Sequence, residues 1–233
     1  MNISSPGLNL PQLSIHGEKY NTAPWLLLTG GRPPAADWLK KLPFCEKIFA
    51  ADHGLDCCRQ NQLRPDYILG DGDSAAPGTW NWGKSLGVPV AEYPTAKDLT
   101  DTQLALTKMK KAPLILITGA FGGRFDHLYS LMFSCASESV PCLLIDEQEF
   151  LCFVKAGERI SLQFRQRPLA ISLLPFTSRC TGVIIDNVRW PLKNAELTQS
   201  FPNAISNELL PGISALSLSV EQGILGFYAH WQV

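Results

Sequence analysis

The chain changes its rhythm past the middle, and that change limits its architecture more than any other feature. In the first part, short apolar runs alternate with helix-like stretches. Strands are expected at 25–28, 47–51, 66–69, 88–93, 114–118 and 142–145, and helices at 35–42, 100–110 and 127–138. Strands separated by helices cannot pair through tight turns, so the pattern predicts a parallel, doubly wound sheet. From about residue 150 the apolar segments crowd together, at 151–155, 159–164, 170–175, 182–188, 215–220 and 224–231. That spacing belongs to antiparallel β structure. The boundary falls near residues 146–150. The opening 20 residues read as polar and aperiodic, and partial disorder is expected there.

Composition narrows the function. With 233 residues, 45% apolar and 18% charged, the chain has the material for one large core or two modest ones and none of the signature of a disordered protein. Twenty basic residues against 21 acidic ones give a net charge of -1, which excludes the electrostatic footprint of a nucleic-acid or anionic-membrane binder. A phosphorylated partner must therefore be held locally, by metal and a few placed donors. The apolar run Pro24-Trp25-Leu26-Leu27-Leu28 is too short to span a bilayer, and no basic-then-apolar secretion signal precedes it. The seven cysteines form no C-x-x-C pair and read as free, small hydrophobes. These features point to the cytoplasm.

Acidic residues stand where an α/β sheet presents its ligands, beyond the carboxyl ends of strands. Asp52 follows the strand at 47–51, Asp71 and Asp73 follow 66–69, Asp98 and Asp101 follow 88–93, and Asp126 follows 114–118 after a glycine loop. In Gly70-Asp71-Gly72-Asp73-Ser74, two carboxylates two residues apart on an extended segment suit one Mg²⁺ ion, although Gly, Asp and Ser also form plain turns. In Lys97-Asp98-Leu99-Thr100-Asp101-Thr102, either Asp98 or Thr100 has the chemistry of a helix cap, with Asp101 in the positive first turn. A second carboxylate pair after a strand of the same sheet nevertheless supplies the other half of a metal-triphosphate site.

The loop Gly119-Ala120-Phe121-Gly122-Gly123-Arg124-Phe125-Asp126-His127 runs from a strand into a helix. Its backbone N–H groups and the helix start suit phosphate, with Arg124 clamping an oxygen. The loop has neither the G-x-G-x-x-G nor the Walker arrangement, and the nucleotide is expected to be held without either. The four histidines, His16, His53, His127 and His230, are scattered, so no nucleophilic triad is expected.

Taken in order, these segments resemble the thiamine pyrophosphokinase family. Ala51-Asp52-His53-Gly54 is similar to its A-D-G-G, residues 65–74 to its P-D-x-I-x-G-D-x-D-S, residues 97–102 to its K-D-x-T-D-T, and residues 122–127 to its G-G-R-x-D-H. Residues 190–197 resemble Y-P-L-x-x-A-x-L, and Ile205-Ser206-Asn207-Glu208 resembles x-S-N-E. The resemblance implies an α/β ATP-binding catalytic domain at 20–147, an all-β sandwich at 148–233 that binds thiamine and dimerises, and a homodimer with thiamine sites between subunits. It implies that Asp71, Asp73, Asp98 and Asp101 hold Mg²⁺ and phosphates. Asp52, Lys97, Thr102, Gly122, Gly123, Arg124, Asp126 and His127 would serve ATP, and Ser206 and Asn207 would contact thiamine. His53 departs from the family glycine, and the aromatic that stacks on thiamine has no secure counterpart, Phe227 and Tyr228 being candidates.

Two other readings stay open at this point. One is a pyrophosphokinase for another hydroxymethyl heterocycle such as a pterin, since the acceptor is chosen outside the ATP motifs. The other is a nucleotide- or thiamine-binding module without turnover.

Overall fold

The computed structural model describes residues 7–72, 75–94 and 96–231. They divide into two compact units. Residues up to Thr22, Lys41–Pro43 and those from Glu147 onward form one, and Ala23–Lys40 with Phe44–Asp146 form the other.

From residue 7 the described chain forms a hairpin, β1 (Gly7–Asn9) and β2 (Leu13–His16), followed by a short 3₁₀ turn at Glu18–Tyr20. The expectation for the first 20 residues is thus corrected from residue 7 onward. Leu13 and Ile15 are fully buried, and β2 pairs antiparallel with a strand of the C-terminal part, Ile15 opposite Leu162. Arg165 braces the hairpin, its Nη1 donating to the carbonyl of Leu13 at 3.0 Å and its Nη2 to Asn9 Oδ1 and Ser14 Oγ, each at 2.8 Å.

The second unit follows as β3 (Trp25–Leu28), α1 (Ala36–Leu39), β4 (Lys47–Ala51), α2 (Gly54–Gln60), β5 (Tyr67–Gly70), α3 (Thr79–Ser85), β6 (Val90–Glu92), α4 (Asp101–Lys108), β7 (Ile115–Thr118), α5 (Phe125–Ser137) and β8 (Cys142–Ile145). Its strands lie parallel in the order β8-β7-β3-β4-β5-β6. β3, β7 and β8 are buried at every position, as expected of short continuous apolar runs covered on both faces. Thr100 caps α4 in a capping box: its Oγ1 accepts from the backbone of Gln103 at 3.2 Å, and Gln103 Oε1 accepts from the Thr100 N–H at 3.0 Å.

The C-terminal strands are β9 (Glu149–Lys155), β10 (Arg159–Phe164), β11 (Ala170–Pro175), β12 (Arg179–Ile185), β13 (Leu192–Thr198), β14 (Ala215–Ser219) and β15 (Ile224–His230). β11, β15 and β9 pair antiparallel, while β1-β2-β10-β14-β12-β13 form a six-stranded antiparallel sheet. β10 alternates cleanly, with Ile160, Leu162 and Phe164 turned inward. Phe164 meets Phe227 of β15 with ring centroids 6.4 Å apart, so side chains from the two sheets share one core. No helix among the described residues is long and apolar enough to cross a membrane.

The hairpin is integral to that core. Ile15→Ala is expected to cost about 2–5 kcal/mol, read as a lower urea midpoint with an unchanged slope; a midpoint equal to that of the parent protein would remove the hairpin from the cooperative unit.

Candidate active site

The strand order sets the site. β3 lies between β4 and β7, so chain order reverses there, and the crevice beyond the carboxyl ends of strands at such a switch point is where open α/β sheets bind ligands. A cleft of about 610 Å³ opens there. Thr29, Gly30 and Gly31 line it after β3, Ala51, Asp52 and His53 after β4, Asp71 after β5, Lys97 to Thr102 ahead of and into α4, and Gly119 and Ala120 after β7. Two loop backbones interlock at its base. The Thr29 hydroxyl donates to the carbonyl of Gly119 at 2.7 Å, and the Gly31 N–H donates to the same carbonyl at 2.5 Å. Gly119 sits at φ +73°, and a Cβ there would stand 2.3 Å from the Thr29 oxygen, so only glycine fits.

Negative charge collects on one wall. Asp52 leaves β4 in the left-handed region (φ +47°), a tolerable conformation for Asp that turns the chain into α2. A Cβ on Gly70 would lie 1.8 Å from Asp52 Oδ1, so the glycine makes room for the carboxylate. Because Thr100 provides the cap, Asp101 is free for other work. Lys97 Nζ stands 3.2 Å from Asp101 and 3.6 Å from Asp71, with all three side chains less than one-fifth exposed. Burial, then the charge of Asp101 and a hydrogen bond to it, then the charge of Asp71, push the Asp52 carboxyl up to about 8, against the opposing pull of Lys97. The lysine is held protonated by Asp101, Asp71 and Asp52 against the cost of burial.

Asp98 and Thr102 line the same cleft, so Asp52, Asp71, Lys97, Asp98, Asp101 and Thr102, six residues expected at the site, are gathered by the fold. Asp73 lies outside the described residues. Among the described residues no three His, Cys, Asp or Glu side chains gather tightly enough to form a metal site. Asp52 Oδ1 and Asp101 Oδ1 are nevertheless buried, and apart from the contact between these two carboxyls no hydrogen-bond donor reaches them. Hard carboxylate oxygens of this kind suit Mg²⁺, which uses one or two protein carboxylates together with water and substrate phosphates.

From the β7 side Gly123, Arg124 and His127 line the cleft, whereas Gly122 and Asp126 do not. Arg124 is exposed and forked onto Asp126, Nε to Oδ1 at 3.1 Å and Nη2 to Oδ2 at 2.6 Å. Asp126 thereby orients the guanidinium. His53 packs its Cβ where a Gly30 side chain would point, 3.1 Å away, and its Nδ1 lies 3.1 Å from Asp56 Oδ2.

Two further motif spellings lie outside the cleft lining. Residues 78–85 spell G-x-x-x-x-G-K-S, and 83–87 spell G-x-S-x-G. The structure gives neither its usual meaning. Thr79–Ser85 is helical, Gly83 packs on Leu55 and Ile68, Lys84 pairs with Glu92 at 2.7 Å, and Ser85 Oγ donates to the Trp82 carbonyl. A phosphate loop needs those residues uncoiled ahead of a helix, and a nucleophile elbow needs a strand before the serine.

Ser206 and Asn207 belong to the other unit. Ser206 adopts φ +59°, its N–H donating to Ser172 Oγ at 3.1 Å. Asn207 Nδ2 donates to the Trp190 carbonyl at 2.8 Å, while its Oδ1 accepts from the N–H groups of Trp190 and Glu208. Asn207 thus ties the 189–190 segment in place beside a second cavity of about 270 Å³, lined also by Ile171, Leu173, Trp190 and Ile205. Phe227 is fully buried and Tyr228 donates to Glu149 at 2.7 Å; neither lines this cavity.

The chain is similar to known proteins. Residues 40–143 match the family model described as thiamin pyrophosphokinase, catalytic domain, and residues 159–225 match thiamin pyrophosphokinase, vitamin B1 binding domain. A thiamine pyrophosphokinase of Bacillus subtilis is 30% identical over 138 residues, covering 57% of this chain and 63% of the relative, and one from Oryza sativa is 25% identical over 59% of this chain and 56% of its own length. The chain therefore spans somewhat less than two thirds of these curated relatives. The crystal structure of the Bacillus subtilis enzyme superimposes with a TM-score of 0.76 at 24% identity, over 89% of this chain and 98% of that one. Thiamin pyrophosphokinase from Candida albicans gives 0.73 at 16% identity, over 89% of each chain. At such identities the superpositions speak for the fold alone, but the two family models together take in more than half of the 233 residues, and on them the chain belongs to the thiamin pyrophosphokinase family.

Proposed function

We propose that the protein transfers a pyrophosphoryl group from ATP to the hydroxyl of thiamine, giving thiamine diphosphate and AMP. The observation that carries this is the gathering of Asp52, Asp71, Asp98 and Asp101 with Lys97 along one cleft at the switch point of the parallel sheet. A cleft so acidic repels a triphosphate unless cations enter with it, while Lys97 and Arg124 supply fixed positive charge on its walls. The unit built on the parallel sheet is then the doubly wound ATP-binding domain. The antiparallel unit, whose two sheets meet at Phe164 and Phe227, is the sandwich that takes thiamine through Ser206 and Asn207 and dimerises. Seven unbridged cysteines fit a reducing cytoplasm. The match to a vitamin B1 binding domain favours thiamine over a pterin as acceptor.

The chemistry follows from charge and position. The thiamine oxygen attacks the β-phosphorus in line; the new O–P bond forms as the bond from that phosphorus to the α–β bridging oxygen breaks, and AMP leaves with the electron pair. Asp71 or Asp101 accepts the hydroxyl proton. Lys97, held protonated by its neighbours, and Arg124, oriented by Asp126, offset charge growing on the phosphate oxygens. Mg²⁺, when bound, would be held by Asp71, Asp73, Asp98 and Asp101 and would supply charge neutralisation at the triphosphate. The glycine loops after β3 and β7 let backbone approach the nucleotide.

Incubation with ATP, Mg²⁺ and either thiamine or a hydroxymethylpterin is expected to yield AMP and a diphosphorylated product with thiamine alone. AMP only with the pterin would transfer the reading to that acceptor, and nucleotide binding with no AMP would make the protein a binding module. Asp101→Asn is expected to lower kcat by about 100-fold or more. If neither Asp71→Asn nor Asp101→Asn alters the pH-rate profile, proton acceptance by these residues is wrong.

The raised Asp52 carboxyl sets a stability trend as well. Folded Asp52 keeps its proton up to about pH 8, whereas the unfolded chain loses it near the ordinary carboxylate value. Folding therefore takes up a proton between these limits, and the metal-free protein should lose stability as pH climbs through that window. Melting curves in EDTA should show the decline for the parent protein and a flatter profile for Asp52→Asn; parallel profiles would mean that Asp52 is ionised throughout.

A further inference from the structure

One charged pair beside the cleft has no part in the chemistry above. Asp146, just beyond β8, is completely buried, and Arg32 donates to its Oδ2 twice, from Nε at 3.0 Å and from Nη2 at 2.6 Å. Neither residue lines the cleft. A carboxylate buried with its counter-ion gains little net stability over an apolar pair of similar volume, so stability is a poor reason for placing one here.

Its surroundings suggest another reason. Arg32 follows Gly30 and Gly31, which line the cleft, and its own N–H donates to the carbonyl of Phe121 at 2.5 Å. From the facing loop, Gly122, at φ +70°, comes so close that a Cβ would stand 2.8 Å from Arg32 Cβ. A Cβ on Gly31 would lie 2.5 Å from the oxygens of both Gly119 and Phe121, and one on Gly123 only 3.0 Å from Gly31 Cα. The two glycine loops are thus interleaved backbone to backbone, with the Thr29 hydroxyl bonding across them at one end and the glycines between leaving slack that only a further tie removes. The Arg32 guanidinium ties them to the end of a third strand.

We infer that Arg32 and Asp146 form a positioning pair that fixes the Gly119–Arg124 loop against the Gly30–Gly31 loop, and so sets Gly123 and Arg124 for the phosphates of the bound nucleotide. The inference rests on the ATP reading of the cleft. The pair acts on nucleotide geometry rather than on the acceptor, and its effect belongs to ATP.

Arg32→Lys keeps the charge but loses the planar fork, and Asp146→Asn keeps the shape but loses the charge. Equilibrium binding of a fluorescent ATP analogue should be measured well below the melting temperature, alongside KM for ATP and for thiamine. Each variant is expected to weaken analogue binding and raise KM for ATP about tenfold, with KM for thiamine unchanged. The double variant should be no worse than the poorer single one, because the two act as a unit. Unchanged analogue binding in Arg32→Lys, a partly exposed position that carries the test alone should Asp146→Asn not fold, would overturn the pair's role. So would equal shifts in both KM values tracking a lower melting temperature, the mark of a merely structural ion pair. A parent protein that binds no ATP analogue would instead sink the ATP reading, and the inference with it.

Discussion

The reversal of strand order between β3 and β7 is the constraint on which the rest depends. Parallel strands fed by right-handed crossovers fill a sheet outward from its first strand, and where the chain turns back to fill the other side the connecting loops part. That parting makes the cleft. It also explains why glycine gathers there. The loops after β3 and β7 leave neighbouring strand ends and must pass within backbone contact of each other, which a Cβ at Gly31 or Gly119 forbids.

Onto that frame the protein loads charge at a cost. Asp52, Asp71 and Asp101 approach one another closely enough that Lys97 cannot neutralise them all, and one oxygen each of Asp52 and Asp101 is buried with no donor beyond the other carboxyl. A fold selected for stability alone would avoid this. Acceptors held at a crevice in this way are consistent with the proposed polyphosphate chemistry, and the capping box at Thr100 adds to the charge there. By capping α4 with a threonine, the chain leaves Asp101 available to the cleft.

The antiparallel unit obeys different rules. Its strands pair across long stretches of chain, so the N-terminal hairpin completes a sheet whose other members come after residue 150. Asn207 has its amide oxygen and nitrogen engaged by the backbone at Trp190 and Glu208, which makes it a builder of the second cavity before it is a contact for anything within it. Ser206, strained at positive φ beside it, shows the same segment held in a shape that local propensity would not choose.

The sequence by itself determined the local alternatives. Continuous apolar runs such as Trp25–Leu28 and Ile115–Thr118 had to be buried strands, and aspartates placed just past strand ends had to face the carboxyl edge of a sheet. Family-like motifs mark Asp71, Lys97 and Asp101 in the sequence alone. Other features were silent. Helix α2 is seven residues beginning two positions after Asp52 and too short for a period to show; β13 exposes Lys193, Asn194 and Glu196 and so lacks an apolar run; and residues 78–85 have a phosphate-loop spelling that helix α3 cancels. Which strand lies beside which, that β2 joins β10, that Thr100 rather than Asp98 caps α4, and that Arg32 reaches Asp146 were decided only by tertiary structure. The physical reason is range: side-chain periodicity records whether a residue faces a core, whereas pairing order, register and charge proximity are set by non-local contacts whose free energy exists only once the whole unit has closed.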